Sequence, residues 1–250
     1  MTTQGPTDNR RLAGMAVMGV SAVNLAASLA LLLLLRPGTL AGGSVTDRMT
    51  YIVTNRFVWT AGWLLWVLAA LSLVGLFYVL SEHLDSRMAG LLRYARALAV
   101  LGAAPDIIAN LINAGVLADM PARWLAASAT VRPVVLEEFA VWDRFAVLLT
   151  GGLANLLYGL AGALLTAAMF RTAAFPRVLA WGSAVVWGLA LAMSVAGFAV
   201  SPAALEPTVG ATMALFIAWS FAVGYVFLYR RAGPLRHAGV QAAFAPTGGP

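Results

Sequence analysis

Six apolar runs, at 12–35, 57–80, 97–118, 145–170, 176–200 and 207–229, constrain this chain more than any motif does. Each is long enough to cross roughly 30 Å of hydrocarbon as an α-helix rising about 1.5 Å per residue. The runs are continuous rather than alternating, which points to helices and away from a membrane β-barrel. Composition agrees: 61% of the 250 residues are hydrophobic and 10% are charged, against about 25% charged in ordinary soluble domains. The reading is an all-α, polytopic bundle of about six spans, occupying 10–231 between a cytoplasmic tail at 1–9 and another at 232–250.

The charges predict an orientation. All sixteen basic residues are arginine, and they sit at the ends of the apolar runs instead of clustering on one solvated face. Nucleic acid is therefore not an expected partner; the bilayer is. With the N-terminus inside, ten arginines (10, 11, 87, 93, 96, 171, 177, 230, 231 and 236) face the cytoplasm. Six (36, 48, 56, 123, 132 and 144) lie on the opposite side, where six acids balance them. The positive-inside rule thus favours N-in and C-in. Arg10-Arg11 precedes the first run much as in an export signal. That run is longer than the usual 7–15-residue signal core, so a retained helix is expected. Trp59, Trp142 and Trp181 near span ends suit interfacial belts.

Whole classes of chemistry are excluded. Without cysteine there is no disulfide, thiolate metal site or cysteine nucleophile; without lysine there is no lysine Schiff base. His83 and His237 are too few for a histidine-rich metal centre. No zinc-protease, serine-hydrolase or phosphate-loop motif occurs, and no second acid lies within a span to form a dyad. Neither catalytic residues nor cofactors are expected.

One polar constellation stands out. Asp106 lies about 15 Å along the helix from Arg96, near the middle of the bilayer. A carboxylate there costs roughly 2.5–3.5 kcal/mol on insertion scales, so it should be neutral, paired or in contact with water. Asn110 and Asn113 follow at i+4 and i+7 and share its face with Gly102 and Ala109. Pro105 removes a backbone donor beside it and predicts a kink. At similar depth the first span offers Ser21, Asn24 and Ser28 on one face. The fourth offers Gly152, Asn155, Gly159, Gly162 and Thr166. Asn24, Asp106, Asn110 and Asn155 are expected to form a buried polar layer, with Asn113 beside it. Such a layer suits a carrier or sensor of a small ligand, a proton or a cation. The competing reading is a structural or partner-binding subunit in which these groups only hold helices together. A membrane enzyme ranks last.

Two further expectations concern the chain outside the runs and its symmetry. The stretch after Pro133 places Val135, Leu136, Phe139 and Trp142 at helical spacing, as in an interfacial helix on the membrane or a lid over a pocket. Asn24-Leu25 and Asn155-Leu156, together with Trp66-x-Leu68-Ala69 and Trp187-x-Leu189-Ala190, hint at two halves of three spans in inverted arrangement.

Arg11-Leu12-Ala13-Gly14 opens the first run. Asn155-Leu156-Leu157-Tyr158-Gly159-Leu160, then Arg171, then Phe175-Pro176-Arg177-Val178-Leu179-Ala180-Trp181-Gly182 link the fourth and fifth. From 10 to 231 the chain resembles a bacterial group of six-span membrane proteins defined by sequence and without assigned activity. The resemblance implies a six-helix, multi-pass bundle in the bacterial cytoplasmic (inner) membrane and no particular chemistry. The Pro105-Asp106 pair and the long 119–144 connection fall outside that pattern.

Overall fold

A computed structural model describes residues 6–84, 86–172 and 175–229. The expected C-terminal tail at 232–250 and residues 1–5 of the N-terminal one lie outside that set. Nine helices follow in order among the described residues: α1 (Pro6–Ala30), α2 (Val45–Thr54), α3 (Arg56–Glu82), α4 (Ala89–Leu111), α5 (Leu117–Ala126), α6 (Arg132–Val147), α7 (Asn155–Arg171), α8 (Arg177–Phe198) and α9 (Pro202–Tyr229). The first begins at Pro6, inside the stretch 1–9 expected as a tail.

Six helical segments are long and apolar enough to cross a membrane: Asn9–Gly38, Arg56–Glu82, Ser86–Ala126, Arg132–Arg171, Arg177–Phe198 and Ala203–Tyr229. The chain is a multi-pass, all-helical membrane protein. Each span packs on the next in sequence, and the sixth returns to the first, closing a ring. The face carrying the described ends of the chain, at Pro6 and Tyr229, is called proximal here and the opposite face distal.

Spans three and four extend well past their apolar runs. The fourth helical segment has 40 residues, about 60 Å at 1.5 Å per residue, so roughly half of it stands beyond a 30 Å hydrocarbon slab. The 119–144 segment is therefore not a separate helix lying flat across the span ends. It forms the distal ends of two long helices, α5 and α6, joined by a short turn at 127–131. Hydropathy marks where the apolar solvent stops, whereas a helix can run on into water when another element covers its apolar face. Here α2 does so. Ser44 and Asp47 form a reciprocal capping box at its start. Met49 and Ile52 then pack with Trp59, Leu117, Met120, Val135 and Phe139 in a distal core.

Arg48 fixes this distal cap. Its guanidinium bonds the Asp143 carboxylate at 2.7 Å and the Gly38 carbonyl at 3.0 Å, and lies 5.3 Å from the Phe139 ring centroid. Arg36–Glu206, Arg56–Asp119 and Arg123–Glu138 add ion pairs on the same face. Trp59 is not an interfacial anchor: it is 1% exposed and donates its indole N–H to Asn113 O at 2.7 Å. Trp181 and, to a lesser degree, Trp142 are exposed near span ends.

The centre of the ring's proximal half is packed, with a smaller cavity of about 290 Å³ beside it between the first and second spans. Phe77, Trp187, Phe216 and Trp219 meet in the middle with ring centroids 5.3–6.2 Å apart. Val17, Leu76, Leu80, Leu165 and Val223 fill the space around them. Close backbone contacts hold the walls. The glycine stripe of the fourth span faces the fifth, where a Cβ on Gly162 would fall 2.0 Å from the Trp187 ring. One on Gly197 would fall 2.2 Å from the Gly151 backbone. Small residues at these positions let the helices touch.

Candidate functional site

The distal half of the ring is hollow. A cavity of about 500 Å³, lined by all six spans, the fifth through Met193 alone, reaches Asp106. Asn24, Asn110, Asn113 and Asn155 line it too, so the five polar residues singled out from sequence share one wall system. Their bonding is less uniform than a single polar layer.

Asp106, 8% exposed, accepts from Thr150 Oγ1 at 2.6 Å and Asn110 Nδ2 at 3.3 Å, both on Oδ1. Tyr158 OH lies 3.5 Å from Oδ2, leaving that oxygen with acceptor capacity to spare. The other amides turn to backbone. Asn113 bonds Ala109 O; Asn24 bonds Val20 O and, across to the second span, Ser72 Oγ; Asn155 bonds Thr150 O and Gly151 O. Asp106 and Asn110 are thus in contact, whereas Asn24, Asn113 and Asn155 reach the same space from separate positions. Of the proposed repeat partners, Asn24 and Asn155 both line the cavity. Trp66 does so as well, while Trp187 sits in the proximal core.

Thr150 and Tyr158 are the site residues that sequence reasoning missed. The cause is local. Three π turns, Leu31–Leu35, Ile112–Val116 and Leu148–Ala154, interrupt the first, third and fourth spans, and each borders the cavity. A π turn inserts a residue, so a stripe counted at 3.6 residues per turn from Gly152 to Thr166 cannot be extended back to Thr150. Backbone carbonyls at these turns find side-chain partners, as they must away from water. Tyr51 OH donates to Leu34 O, Thr60 Oγ1 to Ala114 O at 3.0 Å, and Ser194 Oγ to Gly152 O at 2.7 Å. The helix continues through the buried Pro105; the change of winding in this span comes later, at Ile112–Val116.

Two facts define what the cavity can do. Asp106 takes part in none of the ion pairs formed among the described residues. Its hydrogen-bond donors are all neutral, so a negative charge here is solvated by dipoles and left without a counter-charge. Trp59, Trp63 and Trp66 supply an aromatic wall, and the Ser28 hydroxyl and the indole N–H groups of Trp63 and Trp66 have no protein partner. Among the described residues no group of three His, Asp or Glu side chains gathers as a metal site. The arrangement can take up a cation or a proton at its base and an apolar or aromatic body above it.

Other buried polar groups do only structural work. Ser21 pairs with Ser220 at 2.8 Å and Thr166 with Ser183 at 2.6 Å, each tying two spans together. Comparison with family models, curated proteins and solved structures gives no match to this chain.

Proposed function

We propose that this protein is a non-enzymatic carrier or sensor of a small ligand or cation, bound at mid-membrane around Asp106. Its setting is the bacterial cytoplasmic membrane, with both termini inside and the α2 face outside. One observation carries the reading: an acid bonded to neutral donors of the fourth span, and in none of the ion pairs among the described residues, also lies on the wall of a roomy cavity. Intramembrane acids are costly and are held at ligand or ion sites by default. In a purely structural subunit the polar groups would sit between touching helices and away from the cavity, as Thr166 and Ser183 do.

Replacing Asp106 with leucine separates the two readings. As helix glue, Asp106 would lose its bonds to Thr150 and Tyr158, worth roughly 0.6–2 kcal/mol each. At about 2–4 °C per kcal/mol for a chain of this size, the melting temperature in detergent would fall by about 2–16 °C. As a ligand site, the freed hydroxyls meet water in the cavity and the cost of holding a carboxyl in the membrane is removed. The melting temperature then stays within about 2 °C of the parent or rises.

A further inference from the structure

The first and sixth spans touch at their proximal ends. Gly14 and Gly224 meet backbone to backbone: a Cβ on either would come within 3.1 Å of the other's carbonyl oxygen. Ser21 and Ser220 hold the next contact. Beyond it, Leu25 and Leu29 continue along α1 and Leu32 stands in the π turn after it, while Gly210 and Ala214 lie on α9. All five line the Asp106 cavity, and all five are nonetheless exposed. Residues that are at once cavity wall and exposed mark an opening. No side chain fills it from Gly210, where a Cβ would meet nothing within 4 Å. At the distal end the Arg36–Glu206 ion pair, 2.7 Å long, bridges the two spans again.

The cavity therefore has a side slot with apolar lips. Leu25 to Leu32 lie roughly 9–20 Å in from Gly38, the distal end of the first span, at the depth of one leaflet's acyl chains. A slot there serves a solute dissolved in the membrane. The walls behind it are mostly apolar and carry three tryptophans and Tyr158, and the acid at the base lacks a counter-charge. Aromatic faces and an unpaired carboxylate both favour positive charge.

We infer that the site takes a lipophilic monocation, an apolar body bearing one positive charge, which enters from the distal leaflet between spans one and six and sets its charge against Asp106. This rests on the Asp106 site proposed above.

The test uses the full chain in lipid nanodiscs with radiolabelled tetraphenylphosphonium as probe, empty nanodiscs as blank. Saturable binding is expected, weakened at least tenfold by Asp106→Asn and not displaced by tetraphenylborate, which has the same shape and opposite charge. Gly210→Trp should slow association at least fivefold, and Leu29→Trp, on the opposite lip, should do the same. The second variant covers the case in which the first fails to fold. Asp106-dependent binding with unchanged association in both tryptophan variants would overturn the lateral route and leave the site standing. Equal displacement by tetraphenylborate, or no saturable binding to the parent, would overturn the ligand class, while the Asp106→Leu melting comparison decides the site separately. Saturable binding indifferent to Asp106 would overturn both.

Discussion

Arg48 and Asp143 are 95 residues apart in sequence and 2.7 Å apart in space, with side chains 3% and 10% exposed. Removing one partner of a buried pair strands the other's charge, which costs about 3–5 kcal/mol, whereas replacing both with apolar groups of similar volume is close to neutral. Arg48→Ala or Asp143→Ala alone should therefore destabilise the protein by that amount in denaturant unfolding, and Arg48→Met with Asp143→Leu should recover most of it. A double variant no more stable than the singles would show that packing around Gly38 and Phe139, rather than charge, holds the cap. Charge counting from sequence balanced the six distal arginines against six acids but could not say which acid each one meets. The same boundary separates the legible and hidden parts of the site. Asp106 and Asn110 share one helix, and their i+4 spacing alone brings them into contact. Thr150 and Tyr158 come from another span; Thr150 lies inside a π turn that breaks the helical period, and Tyr158 meets Asp106 only through the packing of the fourth span on the third.

At the scale of helices, six apolar runs were enough to place six spans and to assign the all-α class. Boundaries were another matter. The third and fourth helical segments run to Ala126 and back from Arg132 because α2 shelters their distal faces. The sign of α2 is present in Ser44-Val45-Thr46-Asp47, a capping box directly after Gly42 and Gly43. Contacts between spans four and five depend on glycine at the point of closest approach. Gly197→Ala should push the helices apart and cost about 1–3 kcal/mol by overpacking. Gly19→Ala, whose Cβ would meet nothing within 4 Å, should be neutral or mildly stabilising. Melting temperatures of the two variants in one detergent test this directly; equal shifts would mean that the Gly151–Gly197 contact does not set the spacing.

The whole molecule is a closed ring of spans, filled with aromatic and aliphatic side chains in its proximal half and open around Asp106 in its distal half. That division could not be read from sequence. Trp66 and Trp187 occur in matching contexts, yet one lines the cavity and the other plugs the core. Stability and ligand handling are thereby assigned to different halves, and the acid sits where they meet. Because the chain has no native cysteine, water access can be mapped one residue at a time. Single cysteines at Asn24, Asn110 and Asn113, against Ala99, Ala161 and Leu165 as buried controls, would be challenged in proteoliposomes with a water-soluble methanethiosulfonate. The three cavity positions should react and the three controls should stay silent. Asn110→Cys reacting no faster than Ala161→Cys would mean a dry, solid centre and would contradict the account.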